Sequence, residues 1–162
     1  MKTSLLVFAL GMLSCGSFAH AQNCASAVNL ASNSTYTSDT TTTTNWMFTF
    51  GPLLSTANDQ LYRFVAGPPP LGTLTPFSSS YAFAMYLIPS CSDAGSEPAP
   101  IRATATVGTA IDLGGPPPPG QPPIVEGETY YLAVTGTAAT GANGTVSFTT
   151  GFPVSLQTFM VD

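Results

Sequence analysis

Tyr81-Ala82-Phe83-Ala84-Met85-Tyr86-Leu87-Ile88, stopped by Pro89, is the stretch whose reading decides the fold class. It is apolar throughout, rich in aromatic and branched side chains, and too short for a buried helix, so it reads as a core strand. Upstream, Leu61-Tyr62-Arg63-Phe64-Val65 alternates. Leu61, Arg63 and Val65 belong to one face, Tyr62 and Phe64 to the other. Downstream, Thr129-Tyr130-Tyr131-Leu132-Ala133-Val134 follows a turn at Gly127. Thr145 to Thr149 follows Asn143-Gly144, which reads as a hairpin turn. Weaker strand candidates are Ser34 to Asp39, Trp46 to Phe50, Gly72 to Phe77 (interrupted by Pro76), Ile101 to Val107, Ala110 to Leu113 and Val154 to Val161. Short strands punctuated by Gly, Pro and Ser predict an all-β chain: a single antiparallel β-sandwich of jelly-roll type with about eight to ten strands.

Of 162 residues, 44% are hydrophobic and 7% charged, with a formal net charge of −5. The scarce residue types sit at the start. Lys2 precedes an apolar run from Leu5 to Leu13, and Ala19-His20-Ala21 has the small-x-small form of a cleavage site. Residues 1–21 therefore read as a signal peptide and 22–162 as one β-sandwich domain. The apolar run falls short of the about 20 residues that a membrane span needs, so no transmembrane span is expected. The predicted location is secreted or periplasmic. Met12-Leu13-Ser14-Cys15 also resembles a lipobox, which gives a lipid anchor at Cys15 as the alternative.

Removing 21 residues leaves 141, with no Lys and no His, two Arg (Arg63 and Arg102), two Cys and all eight carboxylates. That composition excludes Ser–His and Cys–His couples, Schiff-base lysines and His-ligated zinc. It also argues against nucleic acid as a partner, because phosphate recognition needs positive charge. In an oxidising compartment Cys24 and Cys91 are expected to pair, the alternative being two separate buried thiols. Gly67-Pro68-Pro69-Pro70 and the longer Gly114 to Pro123 run cannot sit inside a sheet, since proline lacks the backbone donor. They read as stiff surface loops, or else as ligands for a proline-binding module.

Three site chemistries remain. Glu126, Glu128, Asp93 and Glu97 are the carboxylates open to glycoside hydrolysis, against a reading as solvated loop charge. No cofactor is expected; the alternative is calcium, the ion that fits an oxygen-rich chain, with Asn58, Asp59, Asp93 and Glu97 as candidate ligands. Trp46, Tyr62, Tyr81 and Tyr130 are candidates for a sugar-stacking surface, against a reading as core residues. Tyr130 and Tyr131 are adjacent and must point to opposite faces.

The strands also carry a resemblance. Cys24-Ala25 and Ala27, then Asp59-Gln60-Leu61-Tyr62-Arg63-Phe64, are similar to the "D-x-x-Y-x-F" strand of bacterial pre-peptidase C-terminal (PPC) domains. Ala82 to Cys91 resembles that family's "D-x-x-L-Y-L-x-x-x-C" segment, with Ala84 near the position of the usual Asp. Val125 to Gly136 resembles "L-x-x-G-x-Y-Y-L-x-V-x-G", and Ala142 to Phe148 its "G-x-Y-x-L" closing strand. The resemblance covers about residues 24 to 150. It implies a jelly-roll-like sandwich on secreted proteins, usually beside a catalytic domain, with some relatives binding calcium or matrix polymers. The expected function is an exported, non-catalytic module that binds a glycan, a matrix component or a surface protein. The alternatives are an assembly subunit that pairs through its C-terminal strand, and a carboxylate-dependent glycosidase.

Overall fold

The computed structural model describes residues 24–45, 49–50, 53–54, 57–92, 96–97, 99–137 and 141–152. The segment expected to be a leader, Trp46, Asp93 and the run Val154 to Val161 lie outside the described residues. After one 3-10 turn at Cys24–Ser26 all regular structure is strand: β1 Val28–Asn29, β2 Thr35–Asp39, β3 Thr49–Phe50, β4 Leu53–Leu54, β5 Asp59–Val65, β6 Thr73–Ser79, β7 Phe83–Ile88, β8 Ser96–Glu97, β9 Arg102–Thr104, β10 Ile111–Asp112, β11 Thr129–Gly136 and β12 Thr145–Thr150. A five-stranded sheet has the order β1-β5-β11-β7-β9 and a four-stranded sheet the order β10-β6-β12-β2. β3, β4 and β8 form a small third sheet. Pairing is antiparallel except for β1 with β5 and β3 with β8. The strictly antiparallel arrangement expected from the sequence therefore admits two short parallel pairs.

Alternation builds the core. Tyr62 and Phe64 of β5, Met85 and Leu87 of β7, and Leu132 and Val134 of β11 meet Leu74 of β6 and Val146 and Phe148 of β12 in one cluster between the two larger sheets. Phe148 is the largest fully buried side chain among the described residues. Its ring stacks on Tyr36 of β2 at 5.6 Å, and Tyr62 meets it edge-on at 5.2 Å from the opposite sheet. Such edge and offset arrangements satisfy the ring quadrupoles as well as burying area. The other face of β5, β7 and β11 is also covered in part: Leu61, Ile88 and Ala133 join Ala27 in a second cluster, against which Tyr86, Tyr131 and Cys91 pack. Leu61 was assignable from its alternation to the face opposite Tyr62, and it is buried there because the N-terminal segment lies over it.

The Cys24–Cys91 disulfide holds that segment, with a sequence separation of 67 residues. The two cysteines are thus paired and not separate thiols.

Pro76 does not end β6. Its carbonyl accepts from the Gly108 amide at 2.7 Å, on the side of β6 where β10 has stopped pairing at Leu74. Amide and carbonyl of one strand residue point the same way, so the donor that proline lacks would have faced no ladder partner. Asn143-Gly144 is likewise not a hairpin turn. β11 lies in the five-stranded sheet and β12 in the four-stranded one, so the dipeptide belongs to a crossover between sheets. Gly144 is required for closeness: a Cβ there would sit 2.5 Å from Ser80 Oγ and 2.7 Å from Tyr81 Cδ1. Both proline-rich runs are loops, and Arg102 straps the longer one by donating to the carbonyls of Gly115 (2.8 Å) and Pro116 (3.2 Å).

Phe148→Ala should cost about 3–5 kcal/mol in urea denaturation, the range for truncating a buried Phe. Replacing both cysteines by Ala should cost about 2–5 kcal/mol by the same measurement, since a long loop in the unfolded chain is released.

Candidate functional site

The residues singled out from the sequence do not gather in one place. Tyr62 and Tyr130 are 3% and 5% exposed, so neither ring offers a face to a ligand. Tyr130 packs against Phe64 and receives the Val125 amide on its hydroxyl at 2.8 Å. Tyr81 is half-buried beneath Gly144, with its hydroxyl 3.4 Å from the Thr40 hydroxyl. Burial pushes the Tyr81 phenol up, the Thr40 contact opposes this, and the charges of Asp59 and Asp39 add to it.

Asn58 and Asp59 begin β5 at the same end. The Asn58 amide nitrogen donates to the Thr40 carbonyl at 3.1 Å, and its backbone N–H donates to Asn143 Oδ1 at 2.9 Å. Asp59 is buried and faces Thr135 across the β5–β11 pair, and Thr135 in turn faces Ala84. Asp59, Thr135 and Ala84 thus stand in one row. Among the described residues no three His, Cys, Asp or Glu side chains come together as a metal cage. The Asp93 and Glu97 side chains lie outside the described residues; of Glu97 the backbone is placed in β8, beside Phe50. Glu126 and Glu128 flank Gly127, whose φ of 83° makes the turn, and both are exposed.

A different surface has the regularity of a site. On β2, β12 and β6 the residues pointing away from the core are small and hydroxylated or acidic, with Phe77 the exception. Register places Thr35 beside Thr149 and Thr149 beside Thr75, then Thr37 beside Ser147 and Ser147 beside Ser78. Asp39 stands beside Thr145, which shares hydrogen bonds with Ser80. Neighbours in this array are about 4.8 Å apart across strands and about 6.7 Å apart along them. Thr37 and Ser147 hydroxyls hydrogen-bond at 3.0 Å, so the array is partly ordered by its own contacts. Asp39 supplies its one carboxylate, held below the usual range by hydrogen bonds from the Thr41 hydroxyl and amide at 2.6 and 3.0 Å.

An aromatic ring sits within the array. Phe148 pairs with Pro76 but Ser147 pairs with Ser78, so Phe77 is the extra residue of a bulge. A bulge re-aims the side chain it carries. Phe77 is 50% exposed, next to the Pro76 side chain that turns into the core. The sequence pattern predicts a strand over Gly72 to Phe77 and no role for the ring, whereas β6 continues to Ser79. The signal was available: Pro76 followed by an aromatic in an otherwise Ser/Thr strand does not fit simple alternation.

No protein-family model, no curated protein and no solved structure matches this chain.

Burial also pushes the Tyr62 phenol up to about 12, with the nearby Ser38 hydroxyl opposing the rise and Tyr36 and Tyr81 adding to it. The unfolded phenol titrates near ~10. The neutral form is therefore favoured on folding, and its contribution is whole below pH ~10 and is lost as pH rises through the folded value. The melting temperature should fall between those two values, and Tyr62→Phe should flatten the fall in a pH series of thermal melts.

Proposed function

We propose that the chain is an exported, non-catalytic binding module, a jelly-roll sandwich of the PPC-like type, that docks on a neutral polyhydroxylated surface such as an insoluble glycan. The observation that carries this reading is Phe77, half-exposed on a bulge and flanked by the hydroxyls of Thr75, Ser78 and Ser147. Sugars present apolar C–H faces and equatorial hydroxyls together, and an aromatic ring among hydroxyl donors and acceptors complements both. The outward face of this sheet carries two acidic groups, Asp39 and Asp112, and no basic one among its described residues, which disfavours an anionic partner.

The remaining features agree with export and against catalysis. The leader-like first 21 residues and the Cys24–Cys91 disulfide suit an oxidising compartment. No helix among the described residues is long and apolar enough to cross a membrane. Downstream of the leader the chain has no His and no Lys for acid–base or nucleophilic work.

Retention of the protein on insoluble neutral polysaccharides (amorphous cellulose and chitin) tests the reading. Phe77→Ala should lower retention about tenfold, equivalent to ~1.4 kcal/mol. Its stability should change by less than ~0.5 kcal/mol, as for an exposed side chain. Wild-type retention by the variant, or release of soluble sugar that Glu128→Gln abolishes, would refute the proposal.

A further inference from the structure

The opposite side of the molecule has a groove of another chemistry. On the outward face of the five-stranded sheet, register aligns Asn29 of β1, Arg63 of β5, Tyr131 of β11 and Ile88 of β7 in one row. Ile88 is fully buried and Tyr131 packs on its cluster, so the floor of the row is rigid. The Arg63 Nε–H donates to Asn29 Oδ1 at 2.7 Å. That bond orients the guanidinium plane and uses one of the five N–H donors of arginine. The terminal amino groups, a ready fork for two parallel hydrogen bonds, have no hydrogen-bond partner among the described residues. A groove of about 470 Å³ runs past them, lined by Asn29, Arg63, Val65, Thr129 and Tyr131 among others, and no described carboxylate lines it.

The geometry points to a subsite for a carboxylate-bearing sugar, a hexuronate unit of an acidic polysaccharide. The planar fork matches a carboxylate in a bidentate pair, which lysine could not reproduce. The half-buried Tyr131 ring beside it supports a pyranose, and the Thr129 hydroxyl and the Asn29 amide can meet ring hydroxyls. One guanidinium in a chain of net charge −5 suits one carboxylate per binding register. This inference is independent of the Phe77 surface, which lies on the other large sheet.

Calorimetric titration with an oligogalacturonate tests it, beside the same oligomer with its carboxyls reduced to alcohols, a neutral β-glucan oligomer and a peptide with a free C-terminus. The wild-type protein should bind the oligogalacturonate at least tenfold more tightly than the reduced oligomer, and high salt should weaken binding. Arg63→Gln should lose about tenfold or more. Arg63→Lys, which keeps the charge and loses the fork, should lose most of that as well. The inference is overturned by equal affinity for the native and reduced oligomers or by the absence of binding to either. Undiminished binding by Arg63→Lys, or tighter binding of the peptide than of the oligogalacturonate, overturns it too. The comparison of native with reduced oligomer uses unaltered protein, so a variant that fails to fold does not spare it.

Discussion

The packing of Phe148 against Tyr62 and Tyr36 is the contact on which the rest of the molecule depends. It joins β12 and β2 of one sheet to β5 of the other at the middle of the core. Because side chains alternate strictly along β12, placing Val146, Phe148 and Thr150 inside obliges Thr145, Ser147 and Thr149 to stand outside. A slip of one residue would bury the hydroxyls and expose the ring. The apolar contact within and the hydroxyl lattice without are therefore two results of one register.

The two faces of the five-stranded sheet share a different dependency. The disulfide holds the N-terminal segment over Leu61, Ile88 and Ala133, and the same segment continues into β1, which supplies Asn29 to Arg63. β1 is only two residues long and pairs with β5 at Tyr62 and Arg63. A strand so short has little ladder energy of its own, and the covalent link a few residues before it limits how far it can stray. The orientation of a surface guanidinium is thus tied to a covalent bond at the far end of the segment.

Much of the fold was legible in the sequence because it follows local rules. The period-two pattern of Leu61 to Val65 and the apolar blocks at Phe83 to Ile88 and Thr129 to Val134 became β5, β7 and β11. What was not legible depended on distant partners. β1 has no apolar alternation to announce it, and its parallel pairing with β5 is set by a distant partner, a few residues after the cysteine that is joined to Cys91. Asn143-Gly144 carries the composition of a hairpin, but the required glycine is explained by Tyr81 and Ser80, some sixty positions earlier in the chain. The candidate sugar-stacking tyrosines went astray for a related reason: composition supplies rings, and only the facing sheet decides which are covered. Phe77 escaped notice because its exposure comes from a bulge, which is a property of a strand pair and not of a strand. Arg63 was placed on the face opposite Tyr62, and its significance awaited the neighbour that orients it.

The strand order also bears on how the protein behaves in a crowd of its own copies. Open strand edges invite a second chain to add on, and many proteins guard them with lysines. This chain has a single lysine, Lys2, so lysine cannot do that work here. The two larger sheets end instead on β1, β9 and β10, which are two, three and two residues long, and on β2, which stops at Asp39. Three of four borders offer too few consecutive backbone groups to template another strand. Resistance to edge-to-edge aggregation is thereby written into strand length, a solution suited to a protein that is rich in apolar residues and nearly free of positive charge.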